Sequence, residues 1–394
     1  MTRVRALVRV IRGVVGVVTG TGWTVAALTV SAWAAAWRLG WEELAVMAVA
    51  GIVLLVVAVL STLGKLRLSA ELKVEPARVI VGERAAGQMI MANRSSRRSR
   101  AVRVELPVGA SSAQFAVPRL AAGASHDELF VVPTSRRAVI PVGPVTTVQG
   151  DPLGLARRTT TWSERYEIYV HPLTTLLDTM VAGLVRDLEG QTTNHLTNSD
   201  IAFHTMRDYV AGDDRRHVHW KSSAKIGKLM VRQYVDTRRS HVCVLLSTAP
   251  AEYANDDEFE LAVSSAASIA MQAVRDGQSL TMIVGGVQWS VANPKGMLDH
   301  FSGVELTPGS GTLDECFATA RRVAPEASIT AGAVGSPPTV PQLRRAALRA
   351  PLETHIVLVQ CTPDARDGYR IIGNTRFVQI TQLGALRRGL TAVI

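Results

Sequence analysis

Two long apolar runs near the start of the chain predict a pair of membrane-spanning helices. Residues 13–37 and 44–64 contain no charged side chain. Each run exceeds the roughly 20 residues that a helix needs to cross a ~30 Å hydrocarbon core. Trp33, Trp37 and Trp41 lie around the short connection between the runs, as expected for an interfacial belt of aromatic rings. The pattern therefore predicts a helical hairpin in a lipid bilayer.

Basic residues predict the orientation of this hairpin. The connection holds one basic residue, Arg38, whereas several flank the outer ends of the runs: Arg3, Arg5, Arg9, Arg12, Lys65 and Arg67. Because basic residues stay on the cytoplasmic side, we expect residues 1–67 to form a tail and two helices of the inner or plasma membrane, with both termini cytoplasmic. Gly16 and Gly20 form a close-approach step, which we assign to packing within the hairpin rather than to a dimer.

After residue 67 the apolar period changes to two, which predicts strands. Short segments alternate polar and apolar residues and are separated by turn residues: 71–75, 79–81, 88–91, 101–106 and 128–133. This spacing is typical of an antiparallel sandwich, so we expect an Ig-like β-sandwich over residues 68–172. The arginine-rich segment from Asn93 to Arg100 is interpreted as a solvated hairpin tip, with contact to anionic lipid headgroups as the alternative.

The last part of the chain, residues 241–394, alternates buried strands with helices. Continuous apolar runs predict strands at 242–246, 280–284, 355–360 and 377–380, while capping residues and helical spacing predict helices at 256–276, 312–323 and 342–349. Strands that alternate with helices in this way are typical of a doubly wound α/β sheet. We therefore expect an α/β domain over this range.

Composition adds information about partners and compartment. The chain of 394 residues has a formal net charge of +10, which favours an anionic partner such as a lipid surface, a nucleic acid or an acidic protein face. The three cysteines, Cys243, Cys316 and Cys361, include no Cys-x-x-Cys pair. An odd count without such a pair argues against a disulfide framework and fits a reducing compartment.

The most specific motif lies between the two predicted domains. From Arg207 to Lys225 the chain reads RDYVAGDDRRHVHWKSSAK, and an upstream stretch reads DPLGL. This composite pattern resembles the signature of the domain-of-unknown-function 58 family of bacterial proteins. Its matching positions here are Arg207, Tyr209, Gly212, Asp213, Arg216, Trp220, Ser223, Lys225 and Arg232, with Asp151, Pro152, Gly154 and Leu155 upstream.

The resemblance implies an architecture and a setting. Members of that family are membrane-anchored and end in a von Willebrand A-like domain, which here corresponds to residues 241–394, with residues 173–240 as the connecting segment that carries the signature. They are typically encoded beside MoxR-type AAA+ ATPases and other von Willebrand A proteins. The resemblance therefore implies a non-enzymatic scaffold or adaptor for such an ATPase, working without a cofactor.

One departure from von Willebrand A domains concerns metal binding. Domains of that kind that bind Mg²⁺ carry Asp-x-Ser-x-Ser after the first strand, whereas this chain has Ser247 at the place of the aspartate, followed by Thr248 and Ala249. Mg²⁺ prefers hard, charged oxygen ligands, and a single hydroxyl does not replace a carboxylate. We therefore expect no metal at the carboxyl edge of the sheet.

The signature segment itself has two interpretations. Its mixed charges and Trp220 suit a staple that packs one domain against the other, and they also suit a charged docking face for the ATPase. The alternative of a different class is a membrane-bound hydrolase or nuclease that uses Asp213, Asp214 and His219. The match of Ser222 to Lys225 with Ser-x-x-Lys enzymes is treated as coincidence, since no Lys-Thr-Gly element accompanies it.

Two further functions are disfavoured by the same residues. The histidines around the signature complete no recognisable zinc spacing, and no Walker lysine follows any glycine run, so we do not expect ATP hydrolysis by this chain. Nucleic-acid binding is also not expected, because the basic residues alternate with acids and aromatic stacking platforms are scarce.

Overall fold

The computed structural model describes residues 17–62, 67–177, 202–210, 218–235, 241–290, 293–309, 311–352 and 354–393. The chain divides into two compact units, Met1–His171 and Pro172–Ile394. We refer to them as the first unit and the second unit and describe each by itself.

Two helices are the first elements among the described residues of the first unit. Helix α1 (Gly20–Leu39) follows Thr19, and helix α2 (Glu42–Thr62) follows after a turn at Gly40. Among the described residues, α2 is the one helix that is long and apolar enough to cross a membrane by length and composition. The threonines and tryptophans of α1 lower its mean hydropathy, so the first predicted span, residues 13–37, is not confirmed as a membrane crossing.

The start of the first predicted span also differs from expectation. Residues 13–16 lie outside the described residues, and the chain before Gly20 is extended rather than helical. Val18 forms an antiparallel bridge with Ala156, and the Val17 carbonyl accepts the N–H of Arg157 at 2.7 Å. This short segment is therefore held by the β-rich part of the first unit and does not extend the helix.

Small residues allow α1 and α2 to approach each other. A Cβ at Gly51 of α2 would overlap the hydroxyl of Thr29 on α1, and Ala48 is fully buried. Around Gly20, by contrast, a Cβ would meet nothing. The predicted role of Gly20 in hairpin packing is therefore wrong, since Gly51 makes the close approach, and Gly16 lies outside the described residues.

Ten strands complete the first unit: β1 (Leu68–Val74), β2 (Arg78–Ile80), β3 (Ala85–Asn93), β4 (Val102–Val108), β5 (Ser111–Val117), β6 (Ser125–Val132), β7 (Ala138–Val142), β8 (Thr146–Gly150), β9 (Arg157–Thr161) and β10 (Tyr166–His171). They form a three-stranded sheet in the order β1-β3-β6 and a larger sheet in the order β2-β10-β7-β4-β8-β9, with β5 paired to β4. All neighbours are antiparallel except β2 and β10.

The two sheets share one hydrophobic core. Met89 and Met91 from the smaller sheet and Val104 and Leu106 from the larger one are fully buried in it, and they alternate with more exposed residues along β3 and β4. The predicted alternation of strands and turns is thus confirmed. The interpretation of residues 93–100 as a hairpin tip is wrong, because β3 and β4 belong to different sheets and this segment crosses between them.

The second unit contains a two-stranded sheet and a seven-stranded sheet. Strands β11 (Ala202–Asp208) and β12 (Met230–Val235) pair antiparallel, with the short helix α3 (Trp220–Ile226) between them in the chain. The larger sheet contains β13 (His241–Leu246), β14 (Ser279–Val284), β15 (Val287–Trp289), β16 (Ile329–Val334), β17 (His355–Cys361), β18 (Gly368–Ile372) and β19 (Thr375–Ile380).

The larger sheet has the order β15-β14-β13-β16-β17-β19-β18. Its five central strands are parallel, while β15 and β18 pair antiparallel at the two edges. The helices of this part are α4 (Asp256–Arg275), α5 (Pro294–Ser302), α6 (Leu313–Val323), α7 (Val340–Ala347) and α8 (Leu383–Val393). The strands and helices predicted from apolar runs and caps are confirmed, with α7 beginning two residues before its predicted start at residue 342.

Alternate residues of β13 enter two separate cores. Val244 packs with Phe259 of α4 and Phe301 of α5, whereas Cys243 packs with Phe317 of α6. Helices therefore cover both faces of the sheet, as a doubly wound arrangement requires. Burial raises the pKa of the Cys243 thiol to about 12, which suits a packing residue rather than a reactive one.

Candidate functional site

The upstream signature forms a compact loop between β8 and β9. The Asp151 carboxylate accepts N–H groups from Leu153 at 2.9 Å and Ala156 at 2.7 Å. Burial works against the ionised form of Asp151, but these and neighbouring backbone N–H groups outweigh it and lower the pKa of the carboxyl. Gly154 adopts a φ of 69°, which favours glycine and turns two carbonyl groups toward α1.

Hydrogen bonds join this loop to the residue that precedes α1. Thr19 donates its backbone N–H to the Leu155 carbonyl at 3.0 Å and its hydroxyl to the Gly154 carbonyl at 2.6 Å. A Cβ at Gly22 would overlap the Leu155 carbonyl oxygen, so α1 approaches the loop at a residue without a side chain. The upstream signature therefore links a helix to the β-sheets, a role that sequence spacing did not reveal because Thr19 and Gly154 are far apart in the chain.

Acidification is expected to weaken this link. An acid whose pKa is lowered on folding contributes stability above its unfolded pKa, near 3.8 for Asp151, and loses it as the pH falls through the folded value. Asp151→Asn should therefore lower the free energy of unfolding by roughly 1 kcal/mol at pH 7, with the deficit shrinking below pH 4. Thermal unfolding of the detergent-solubilised chain from pH 3 to 7 measures this, with Glu75→Gln as control. A deficit independent of pH would contradict the assignment.

The downstream signature builds a small module from β11, α3 and β12. The buried Ser223 hydroxyl accepts the N–H of Met230 at 2.8 Å and donates to the His219 carbonyl at 3.1 Å. The backbone N–H of Tyr209 donates to the Leu229 carbonyl, and that of His219 donates to the Met230 carbonyl, both at 2.8 Å. Ser223 therefore joins α3 to the start of β12, which gives this signature residue a structural role.

The Nδ1 atom of the His219 imidazole forms hydrogen bonds within the same module. His219 precedes α3, and its Nδ1 lies 2.7 Å from the Ser222 hydroxyl and accepts the Ser222 N–H at 3.3 Å. These contacts are those of a side chain that caps a helix start. Asp213 and Asp214, its supposed catalytic neighbours, lie outside the described residues, so the geometry of the alternative hydrolytic site is not described.

The remaining signature residues are found in different settings. Gly212, Asp213 and Arg216 lie outside the described residues, and so does the side chain of Arg232. Arg207 is partly buried and its Nη1 donates to the Asp208 carbonyl at 3.1 Å. Lys225 is exposed.

Trp220 is the first residue of α3, and its ring is exposed in the module. Within the second unit, 65% of its surface is exposed, and the staple between domains stays a prediction. Val210, at 61%, and Ile226, at 57%, are exposed in the same module. Exposed lysines accompany them at positions 221, 225 and 228. We call Val210, Trp220 and Ile226 with these three lysines the signature face.

Ser247, the residue compared above with the metal-binding aspartate of von Willebrand A domains, follows β13 at the carboxyl edge of the larger sheet. Ser247 is fully buried, and its hydroxyl donates to the Gly311 carbonyl at 3.1 Å. The buried Tyr253 donates its hydroxyl to the Ser247 carbonyl at 2.7 Å. Among the described residues there is no cluster of three or more His, Cys, Asp or Glu side chains that suits a metal ion.

The glutamates near this edge bind the protein's own loops. The Glu258 carboxylate accepts the N–H groups of Ala254 and Ser336, both at 2.9 Å, and Glu252 accepts that of Leu313 at 3.0 Å. Burial raises the pKa of Glu252. These carboxylates hold the segments after β13, β16 and α5 in place.

Comparisons with solved structures yield only partial likenesses. The CARDB domain of a Pyrococcus furiosus protein is 13% identical, with a TM-score of 0.20, over 26% of this chain and 86% of that one. The Pseudomonas fluorescens alkylpurine DNA glycosylase AlkC is 15% identical, with a TM-score of 0.19, over 34% and 42% of the two chains. The Bacillus subtilis sporulation control protein Spo0M is 13% identical, with a TM-score of 0.17, over 32% of this chain and 56% of that one. TM-scores this low support no inference about fold or function.

Sequence comparison gives a clearer result. No curated protein matches the chain. Residues 205–300, however, match the model of a family described as "Protein of unknown function DUF58". This segment begins in β11, contains the α3 module and the first α/β repeat, and ends in α5. Residues 205–300 of this chain are therefore identified as a segment of the DUF58 family.

Proposed function

We propose that this protein is a non-enzymatic, membrane-anchored adaptor that presents the signature face to a MoxR-type AAA+ ATPase or another von Willebrand A protein. In this proposal α1 and α2 both cross the inner or plasma membrane, and both termini are cytoplasmic. The first unit contributes an Ig-like sandwich and the second a von Willebrand A-like domain. No cofactor and no nucleic acid take part.

Anchoring is supported by the surfaces of the two helices. The large apolar side chains of α2 are exposed although the helix is strongly apolar, with Val46 at 69% and Val57 at 56%. Trp33 and Trp37 on α1 and Trp41 in the turn are also exposed, at 54%, 87% and 59%. Apolar helix surfaces with tryptophans near the turn suit a bilayer better than water.

The observation that carries the docking role is the exposed Trp220. The polar groups of His219 and Ser223 already hold the module together, whereas Trp220 contributes little to its packing at 65% exposure. Exposed large apolar residues with a polar rim mark protein interaction sites, and tryptophan is enriched among the residues that dominate binding energy. The surrounding lysines favour a partner with an acidic rim.

A non-enzymatic role is supported by the two places where chemistry was most expected. At the sheet edge, Ser247 and the glutamates bind loop backbone instead of facing a cleft. In the signature, His219 caps α3. In both places the side chains are engaged with the protein's own backbone, which favours a structural role for them.

Trp220→Ser is expected to reduce the recovered ATPase by about tenfold or more, because loss of a central tryptophan commonly costs about 2 kcal/mol of binding energy. The measurement is affinity capture of the tagged, detergent-solubilised chain, with the ATPase quantified by mass spectrometry. The matched control is Tyr369→Ser, which removes another exposed aromatic side chain of the second unit, 62% exposed on β18. Equal recovery by both variants, or no ATPase with the unaltered chain, would remove the docking proposal.

A further inference from the structure

A cavity of about 620 Å³ lies within the first unit, where the two helices meet the larger sheet. Thr19, just before α1, and Ser61, in the last turn of α2, line one side. The opposite side consists of residues from β4, from β8 and from the loop that holds α1. The cavity therefore lies at the end of the helix pair that is attached to the β-sheets.

The length of α2 places this cavity at the level of lipid headgroups. The helix has 21 residues, which at about 1.5 Å per residue span ~31 Å, close to the ~30 Å hydrocarbon thickness. When α2 crosses the bilayer, Glu42 and Ser61 at its two ends must both lie near the headgroup regions. A ligand of the cavity would then contact protein hydroxyls and headgroups at the same depth.

The charges that line the cavity favour an anion. The residues that line the cavity include three arginines, Arg100, Arg103 and Arg157, and two acids, Glu105 and Asp151. Both carboxylates already have donors, since Glu105 accepts two hydrogen bonds from Arg157 at 2.8 and 3.0 Å and Asp151 accepts the loop N–H groups. Arg103 is exposed and has no carboxylate partner among the residues that the structure describes.

We propose that this cavity binds the phosphate of an anionic phospholipid headgroup. Arg103 supplies charge-assisted hydrogen bonds to the phosphate oxygens, and the hydroxyls of Thr19 and Ser61 face the glycerol region. The acyl chains extend along the apolar surfaces of α1 and α2. This inference rests on the membrane anchoring proposed above and adds a lipid preference to it. The bound lipid bridges the helix pair and the β-sheets.

The test compares lipids and variants on the full-length protein in detergent. Native mass spectrometry measures the binding of phosphatidylglycerol, phosphatidylcholine and inorganic phosphate. Arg103→Gln removes the unpaired charge, Ala101→Trp places a large side chain on the cavity wall, and Arg119→Gln removes an exposed arginine elsewhere in the same unit. Because Arg103 is exposed, its replacement leaves the fold intact, and thermal unfolding verifies this for each variant.

Phosphatidylglycerol is expected to bind at least about fivefold more tightly than phosphatidylcholine, and Arg103→Gln and Ala101→Trp should each weaken it about five- to tenfold. Arg119→Gln should leave the affinity for phosphatidylglycerol unchanged. Equal effects of Arg103→Gln and Arg119→Gln, or equal affinity for free phosphate, would overturn the lipid site. Carbonate extraction of membranes separates the two proposals: an extractable chain refutes the anchoring, whereas a retained chain without lipid preference refutes the headgroup site alone.

Discussion

Replacing Asn93 with alanine is expected to lower the free energy of unfolding of the first unit by about 3 kcal/mol. Asn93 is 1% exposed, and its amide nitrogen donates to the carbonyls of Arg97, Leu120 and Ala121 at 2.8 to 3.2 Å. Its amide oxygen accepts the N–H of Ser95 at 3.0 Å. Alanine removes one of the two donors of each carbonyl and the acceptor of the Ser95 N–H, and each lost hydrogen bond contributes about 0.5–1.5 kcal/mol.

Hydrogen exchange of β3 and β6 in the full-length protein provides the measurement, together with thermal unfolding. Arg98→Ala is the matched control, because it removes a large polar side chain from the exposed part of the same crossing segment. Asn93→Ala should speed exchange in both strands. Arg98→Ala should change the free energy of opening, measured from the exchange rates, by less than about 0.5 kcal/mol. Similar exchange in both variants would show that Asn93 does not organise the crossing between the sheets.

Replacing Glu258 with alanine is expected to destabilise the second unit by about 3 kcal/mol. Its carboxylate is 4% exposed and holds two segments, the one before α4 through Ala254 and the one after β16 through Ser336. Hydrogen bonds to a charged acceptor contribute about 1.5–3 kcal/mol each.

Thermal and denaturant unfolding of the solubilised chain test this expectation. Glu258→Gln keeps one acceptor oxygen in place and should cost about half as much. Glu305→Ala removes an exposed acid of the same unit and should change stability by less than about 0.5 kcal/mol. A Glu258→Ala variant as stable as Glu305→Ala would contradict the view that this carboxylate closes the sheet edge.

Much of the fold follows from local patterns, because burial imposes a period on each element. The run at 242–246 is a central strand, and the acids at 256–258 begin α4 after the Asn255 cap, whose side chain accepts the Glu258 N–H. Thr312 caps α6 as its spacing with Glu315 indicates. In each case the deciding residues lie within one or two turns of the element that they define.

Contacts between distant residues account for what the sequence did not reveal. The hydrogen bonds between Thr19 and the loop at Gly154 join positions 135 residues apart, and no local period encodes them. The crossing of residues 93–100 between sheets depends on the pairing of β4 with β8 rather than with β3. The charged signature was interpreted as one unit, so the strands and helix inside it were not distinguished.

Trp220 shows a different reason why a sequence pattern leaves two interpretations open. A tryptophan among charges suits both a buried staple and an exposed anchor, since the ring is apolar in each. Only its burial distinguishes the two, and burial depends on the tertiary arrangement. The structure adds the 65% exposure of this ring. This exposure locates the proposed docking surface at Trp220.

Site-specific photocrosslinking in intact cells tests the docking proposal most directly. A photoreactive residue replaces Ala224, which is exposed on α3 beside Trp220, and a second chain carries it at Leu348, which is 82% exposed elsewhere in the second unit. We expect a crosslink from position 224 to an AAA+ ATPase or a von Willebrand A protein, and none from position 348. No protein crosslink from position 224, or the same products from both positions, would contradict it.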